Sequence, residues 1–122
     1  MPRVLVVDDE PAIVDLLREF LAAKGYEVLT ASEGEEALRK VKEERPHLIL
    51  LDVRLPKMGG LEVLKRVREI DHEAGVIMVT AVNEEETGNQ ALQMGAFDYI
   101  TKPLDFQYLE RSLWVKLQMM TL

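Results

Sequence analysis

The sequence predicts a single α/β domain built on a buried parallel sheet, and two patterns carry that prediction. Five short runs rich in branched apolar residues alternate with five longer, charged segments of helical periodicity, with no Pro/Gly/Ser-rich linker between them. The central run, Leu48-Ile49-Leu50-Leu51, is apolar at every position, as a strand covered on both faces should be. A chain of 122 residues can bury one core without disulfides or metal staples, so residues 1–122 are expected to form one domain.

Taken in order, the expected strands are 3–7, 27–31, 47–51, 75–80 and 97–100. The first helix follows from Ile13, Leu16, Leu17, Phe20 and Leu21, which share one face of a 3.6-residue period. Pro11 suits its first turn and Gly25 its end. Segments 33–44 and 59–70 are amphipathic in the same way. Segment 84–94 has only a thin stripe of Ala91, Leu92 and Met94 and contains Gly88, which weakens a helix by roughly 1 kcal/mol, so this fourth helix is expected to be the most mobile. In the last helix Leu109, Leu113 and Leu117 make a core stripe. Tyr108, Trp114 and Val115 spread the apolar surface further round it, which points to a partner.

Composition removes several classes of function. With 22 acidic against 15 basic residues the net charge is −7, which argues against gripping a nucleic-acid backbone. There is no cysteine, so thiolate chemistry and disulfides are excluded. No run approaches a membrane span and Asp8 interrupts the only N-terminal apolar stretch; a soluble, cytoplasmic chain is expected.

In an open parallel sheet, ligands bind beyond the carboxyl ends of the strands. Those ends carry Asp8-Asp9-Glu10, Asp52, Thr80-Ala81 and Thr101-Lys102-Pro103. Taken singly, each residue has an ordinary reading: Asp9 as a helix N-cap, Asp52 as a turn former, Thr80 as a strand residue, Lys102 as a surface charge. Together they place acids, a hydroxyl and a base in one crevice. Clustered carboxylates repel one another and lose solvation, so one of them should hold a proton unless a hard divalent cation, with magnesium the natural choice, relieves them. The chain has no Gly-rich phosphate loop and no serine or cysteine set beside a histidine, which leaves Asp52 as the nucleophile. A carboxylate can accept a phosphoryl group given positioning and charge neutralisation by metal, Lys102 and the Thr80 hydroxyl. His47 and His72 lack partners at metal spacing and read as structural or solvated.

These pieces resemble the receiver domain of bacterial response regulators, the CheY-like family. The likeness covers residues 4–117 through Val4-Leu5-Val6-Val7-Asp8-Asp9-Glu10, Leu50-Leu51-Asp52-Val53-Arg54-Leu55-Pro56 with Met58-Gly59-Gly60, Val79-Thr80-Ala81, and Gly95-Ala96-Phe97-Asp98-Tyr99-Ile100-Thr101-Lys102-Pro103. The resemblance implies a doubly wound (βα)5 fold of flavodoxin-like strand order 2-1-3-4-5. It implies that Asp52 takes a phosphoryl group from a sensor histidine kinase, with Mg2+ bound by Asp9, Asp52 and the backbone carbonyl of Arg54, and by Asp8 through water. It gives Thr80, the Ala81 amide and Lys102 to the phosphoryl oxygens, makes Tyr99 the switch aromatic, and makes the bond before Pro103 cis. Arg54 and Val82 are the positions expected to tune dephosphorylation. The output surface would be the fourth helix, fifth strand and fifth helix, acting on an output domain or effector protein and serving as the candidate homodimer face. Such a domain signals rather than turning over a substrate.

Three other readings compete with this one. An aspartyl-phosphate phosphatase carries its two acids two residues apart after the first strand, a spacing met here only by Asp8 and Glu10, and it needs a cap. A flavin protein needs a Ser/Thr/Gly loop where this chain is acidic. A receiver used purely as an interaction module would not need all the site residues retained here.

Overall fold

In the computed structural model, which describes residues 1–81 and 84–120, strands and helices alternate as the sequence predicts. The order is β1 (Arg3–Val7), α1 (Pro11–Ala23), β2 (Glu27–Ala31), α2 (Gly34–Glu44), β3 (Leu48–Asp52), α3 (Gly60–Ile70), β4 (Gly75–Thr80), α4 (Glu85–Gln93), β5 (Asp98–Thr101) and α5 (Phe106–Met120). All neighbouring strands run parallel, in the order β2-β1-β3-β4-β5. After β2 the chain crosses back, so β1 and β3 lie side by side although β2 separates them in sequence. That reversal sets the ends of β1 and β3 next to each other.

Two apolar layers cover the sheet, and the pleat sorts residues between them. Val4 and Val6 of β1 and Leu48 and Leu50 of β3 pack with Leu17 and Leu21 of α1 and Leu109 and Leu113 of α5. Leu5, Val7, Ile49 and Leu51 point the other way, against Ala37 and Val41 of α2, Val63, Leu64 and Val67 of α3, and Ala91 of α4. This two-sided burial is why β3 is apolar throughout. Fully burying each such leucine contributes roughly 1.5–3 kcal/mol.

The structure corrects several local expectations. Strand β3 is Leu48–Asp52 rather than 47–51, and β5 is Asp98–Thr101 rather than 97–100. His47 closes the strand start instead, its Nδ1 accepting the Arg3 N–H at 3.0 Å. Asp52 is therefore the last strand residue and inherits the rigidity of the ladder. Leu16, expected in the buried face of α1, is 47% exposed, because it lies about 100° round the helix from buried Leu17. On α5, Leu109 and Leu113 are buried and Tyr108, Trp114 and Val115 are exposed.

Gly88 is more than a weak point in α4. A Cβ there would lie 2.5 Å from the ring of Tyr99, so the missing side chain is what lets the aromatic lie against the helix. Gly60, opening α3, is tighter still, because its Cβ would lie 2.3 Å from the backbone oxygen of Asp52. Gly59 has nothing closer than 3.9 Å. Gly60→Ala should therefore destabilise the domain by about 3 kcal/mol, since backbone cannot yield as a side chain does, while Gly59→Ala stays within about 0.5 kcal/mol. Urea unfolding of the two variants checks this, and equal losses would show that the contact under Gly60 is not the constraint.

Candidate functional site

The carboxyl ends of β1, β3, β4 and β5 meet at one edge and assemble an acidic pocket. Asp8 follows β1 and is 3% exposed; Asp52 ends β3 and is 6% exposed. Each uses its two oxygens differently. Oδ1 of Asp8 accepts the Glu10 N–H at 2.9 Å, and Oδ1 of Asp52 accepts the Arg54 N–H at 3.1 Å. Both are turns in which an aspartate caps the backbone two residues on, and they fix the carboxylates in place. The Oδ2 atoms remain for Lys102, whose Nζ lies 3.4 Å from Asp52 and 3.6 Å from Asp8, and 3.2 Å from Oε1 of Glu10.

Lys102 is held by its backbone, its N–H donating to the Thr80 carbonyl at 2.8 Å where β4 and β5 end together. The Lys102–Pro103 bond is cis. Thr80 is fully buried, and its Oγ1 has no hydrogen-bond partner among the described residues. A buried hydroxyl in that condition has a proton free to donate to an oxygen. Ala81, the next residue, is exposed at the rim.

Sequence reasoning and geometry differ over the turn after β1. Oxygens of Asp8, Glu10 and Asp52 all lie within 4.8 Å of one another. Asp9, expected as a direct ligand, stands outside that group, exposed, on a hollow of about 300 Å3 between α1 and the end of β2. The Asp8 cap turns the chain so that Glu10 comes back over the pocket, where Lys102 holds it. The signal for this in the sequence is Asp8 itself, since an aspartate that caps the backbone two residues on makes a turn there. Nor is Asp9 the helix N-cap; Glu10 occupies that position, without a side-chain capping bond. Val82 lies outside the described residues.

Electrostatics follow from burial and sign. Desolvation is the largest influence on Asp8 and raises its pKa. The Glu10 N–H works against it, Asp52 adds to the rise, and Lys102 opposes it. Burial alone would lower Lys102, but the hydrogen bond to Glu10 and the charges of Asp52 and Asp8 together outweigh it and hold the ammonium above its ordinary value. Three carboxylates against one ammonium leave excess negative charge among hard oxygen donors, a set that fits a divalent cation.

Tyr99 is half-buried on the α4 side of β5, its ring against Gly88. Its neighbour Asp98 faces the other way and holds α5: Oδ2 accepts the Tyr108 hydroxyl at 2.6 Å and the Ser112 hydroxyl at 2.9 Å. That hydrogen bond pushes the Tyr108 phenol up to about 12. Sequence reading missed Glu10, this Asp98 cluster and the ion pair between Arg54 and Glu84.

The raised Asp8 pKa has a consequence for stability. The folded state holds that proton more tightly than the unfolded chain, so the contribution favours folding at low pH. It is lost as pH rises from the ordinary carboxylate value through that of Asp8. Asp8→Asn should thus stabilise the metal-free domain at pH 7, with a smaller gain at pH 4 and a smaller response to added magnesium. Thermal unfolding at the two pH values measures both effects; a variant less stable at pH 7 would contradict the charge argument.

Comparison with known proteins agrees with this geometry. The family model for the response regulator receiver domain matches residues 4–113. The chain is 50% identical over 101 residues to the alkaline phosphatase synthesis transcriptional regulatory protein PhoP of Bacillus subtilis (strain 168), covering 83% of this chain and 42% of that protein. It is 40% identical over 111 residues to sporulation initiation phosphotransferase F of the same strain, covering 91% of this chain and 90% of that one. The chain thus spans less than half of PhoP and nearly all of the phosphotransferase. Among solved structures, a CheY-like response regulator receiver domain protein from Methanospirillum hungatei JF-1 is similar with a TM-score of 0.94 at 35% identity, covering 99% of this chain and 97% of that one. Strand order, acidic pocket and sequence agree: the chain belongs to the response regulator receiver domain family.

Proposed function

We propose that Asp52 accepts a phosphoryl group from a phosphohistidine on a sensor kinase, and that residues 1–122 act as one receiver domain. The observation that carries this reading is the placement of Asp52. It is buried, fixed through Oδ1, and faces Lys102 through Oδ2, and the unpartnered Thr80 hydroxyl ends the neighbouring strand. An Asp52 carboxylate oxygen forms the new bond to phosphorus as the phosphorus–nitrogen bond breaks, and the electron pair returns to the imidazole. Lys102 balances charge on the transferring group, while the Thr80 hydroxyl and the Ala81 amide donate to its oxygens.

Magnesium would be held by Asp52 and the Arg54 carbonyl, with Asp8 acting through water and Asp9 joining only by turning in from its exposed position; Glu10 is among the acids able to face it. When bound it neutralises charge on the carboxylates and the incoming phosphoryl oxygens. The new charge draws Thr80 inward, which opens room for the Tyr99 ring and shifts α4 against β5. The face formed by α4, β5 and α5, with Trp114 exposed beside it, then meets an output domain, an effector or a second copy. The domain signals and assists its own phosphorylation and dephosphorylation. Its net charge of −7 speaks against direct nucleic-acid binding. No helix among the described residues is long and apolar enough to cross a membrane, and a cytoplasmic location is part of the proposed reading.

Intact mass after incubation with a small phosphodonor and magnesium tests the reading. One hydroxylamine-labile phosphoryl adduct is expected on the native chain, none on Asp52→Asn and none with excess chelator. Absence of the adduct from the native chain under every donor would make the domain a phosphorylation-independent interaction module.

A further inference from the structure

Resting on Asp52 as the phosphoacceptor, we infer that Glu84 is a positioning residue that competes with the phosphoryl group for the guanidinium of Arg54. Arg54 touches both ends of this relay. Its backbone N–H donates to the Asp52 carboxylate, and its side chain reaches Oε1 of Glu84 through Nε at 2.6 Å and through Nη2. Glu84 is the residue before the first turn of α4, yet its carboxylate makes no capping bond to the helix. The acid is engaged by Arg54 instead.

The two partners are unequally placed. The Glu84 side chain is 15% exposed and the Arg54 side chain 76%, so the carboxylate is seated while the guanidinium is free to turn. The pair lines one side of a hollow of about 500 Å3 that Val53, Gly60, Glu86 and Thr87 also border. Two of the three guanidinium nitrogens, Nε and Nη2, converge on one carboxylate oxygen, a weaker arrangement than the paired fork of a bidentate contact. A phosphoryl group on Asp52 offers more charge and three oxygens, beside the backbone of the same arginine. Transfer of the guanidinium to it shields the acyl phosphate and leaves Glu84 unpaired next to Glu85 and Glu86, at the start of α4. Occupancy of Asp52 is then felt at the helix through a pair of residues 30 apart in sequence.

The test is binding of beryllofluoride, a phosphoryl analogue, to the full chain with magnesium, followed by calorimetry. An ion pair with one partner in solvent gives the expected size: Glu84→Gln binds the analogue about two- to fivefold more tightly than the native chain. Glu85→Gln, which removes the same charge from the same turn, should leave affinity unchanged, and in an Arg54→Gln background Glu84→Gln should have no effect. Unchanged or weaker binding by Glu84→Gln, an equal gain in Glu85→Gln, or a gain that survives without Arg54 would each overturn the inference. Failure of the native chain to bind beryllofluoride is a different result, since it removes the phosphoacceptor reading itself.

Discussion

The structure turns on the cost of holding carboxylates together out of water. Asp8 and Asp52 are nearly buried, Glu10 leans over them, and Lys102 is the cation shared by all three. One ammonium does not balance three acids, so the pocket is left short of positive charge in a setting of reduced dielectric, where that shortage is felt strongly. The backbone turns that cap each aspartate keep the arrangement from relaxing. A site held in this imbalance responds to whatever adds or removes charge, which is the property a switch needs.

The fold supplies the rest by geometry. Reversal of winding between β1 and β3 sets two acids on adjacent strands, and β4 and β5 contribute the hydroxyl and the lysine from the same edge. Gly60 brings α3 down onto the Asp52 carbonyl so closely that the acceptor strand cannot shift without the helix. The rigid part of the domain is therefore built around the acceptor, and the adaptable part lies two strands further out, where Tyr99 rests on α4 at a position that has no side chain.

What is legible in the sequence is local. Periodicity marks β1, β2 and β4 to the residue, because branched runs bounded by polar turns leave little freedom, and the polar residues at the strand ends follow from the same pattern. The one-residue offsets at β3 and β5 arise from His47 and Phe97, which read as strand but serve as the connections into it. Leu16 reads as buried because an apolar stripe has edges, and one edge lies in solvent. Gly88 reads as a flaw since its purpose, room for Tyr99, depends on a residue across the chain. The links of Arg54 with Glu84 and of Asp98 with Tyr108 and Ser112 leave no such pattern, since no local rule couples residues that meet only on folding.

The Asp98 cluster bears on how motion can divide within the domain. By holding Tyr108 and Ser112 from the edge strand, this carboxylate welds β5 to α5, so the surface made by the last three elements is two bodies rather than three. The remaining seam runs between α4 and that welded unit, along the line where Gly88 meets the Tyr99 ring. A surface with one seam has one coordinate along which to change. A partner that straddles the seam reads that coordinate as a change in shape, whereas one seated wholly on α5 is blind to it.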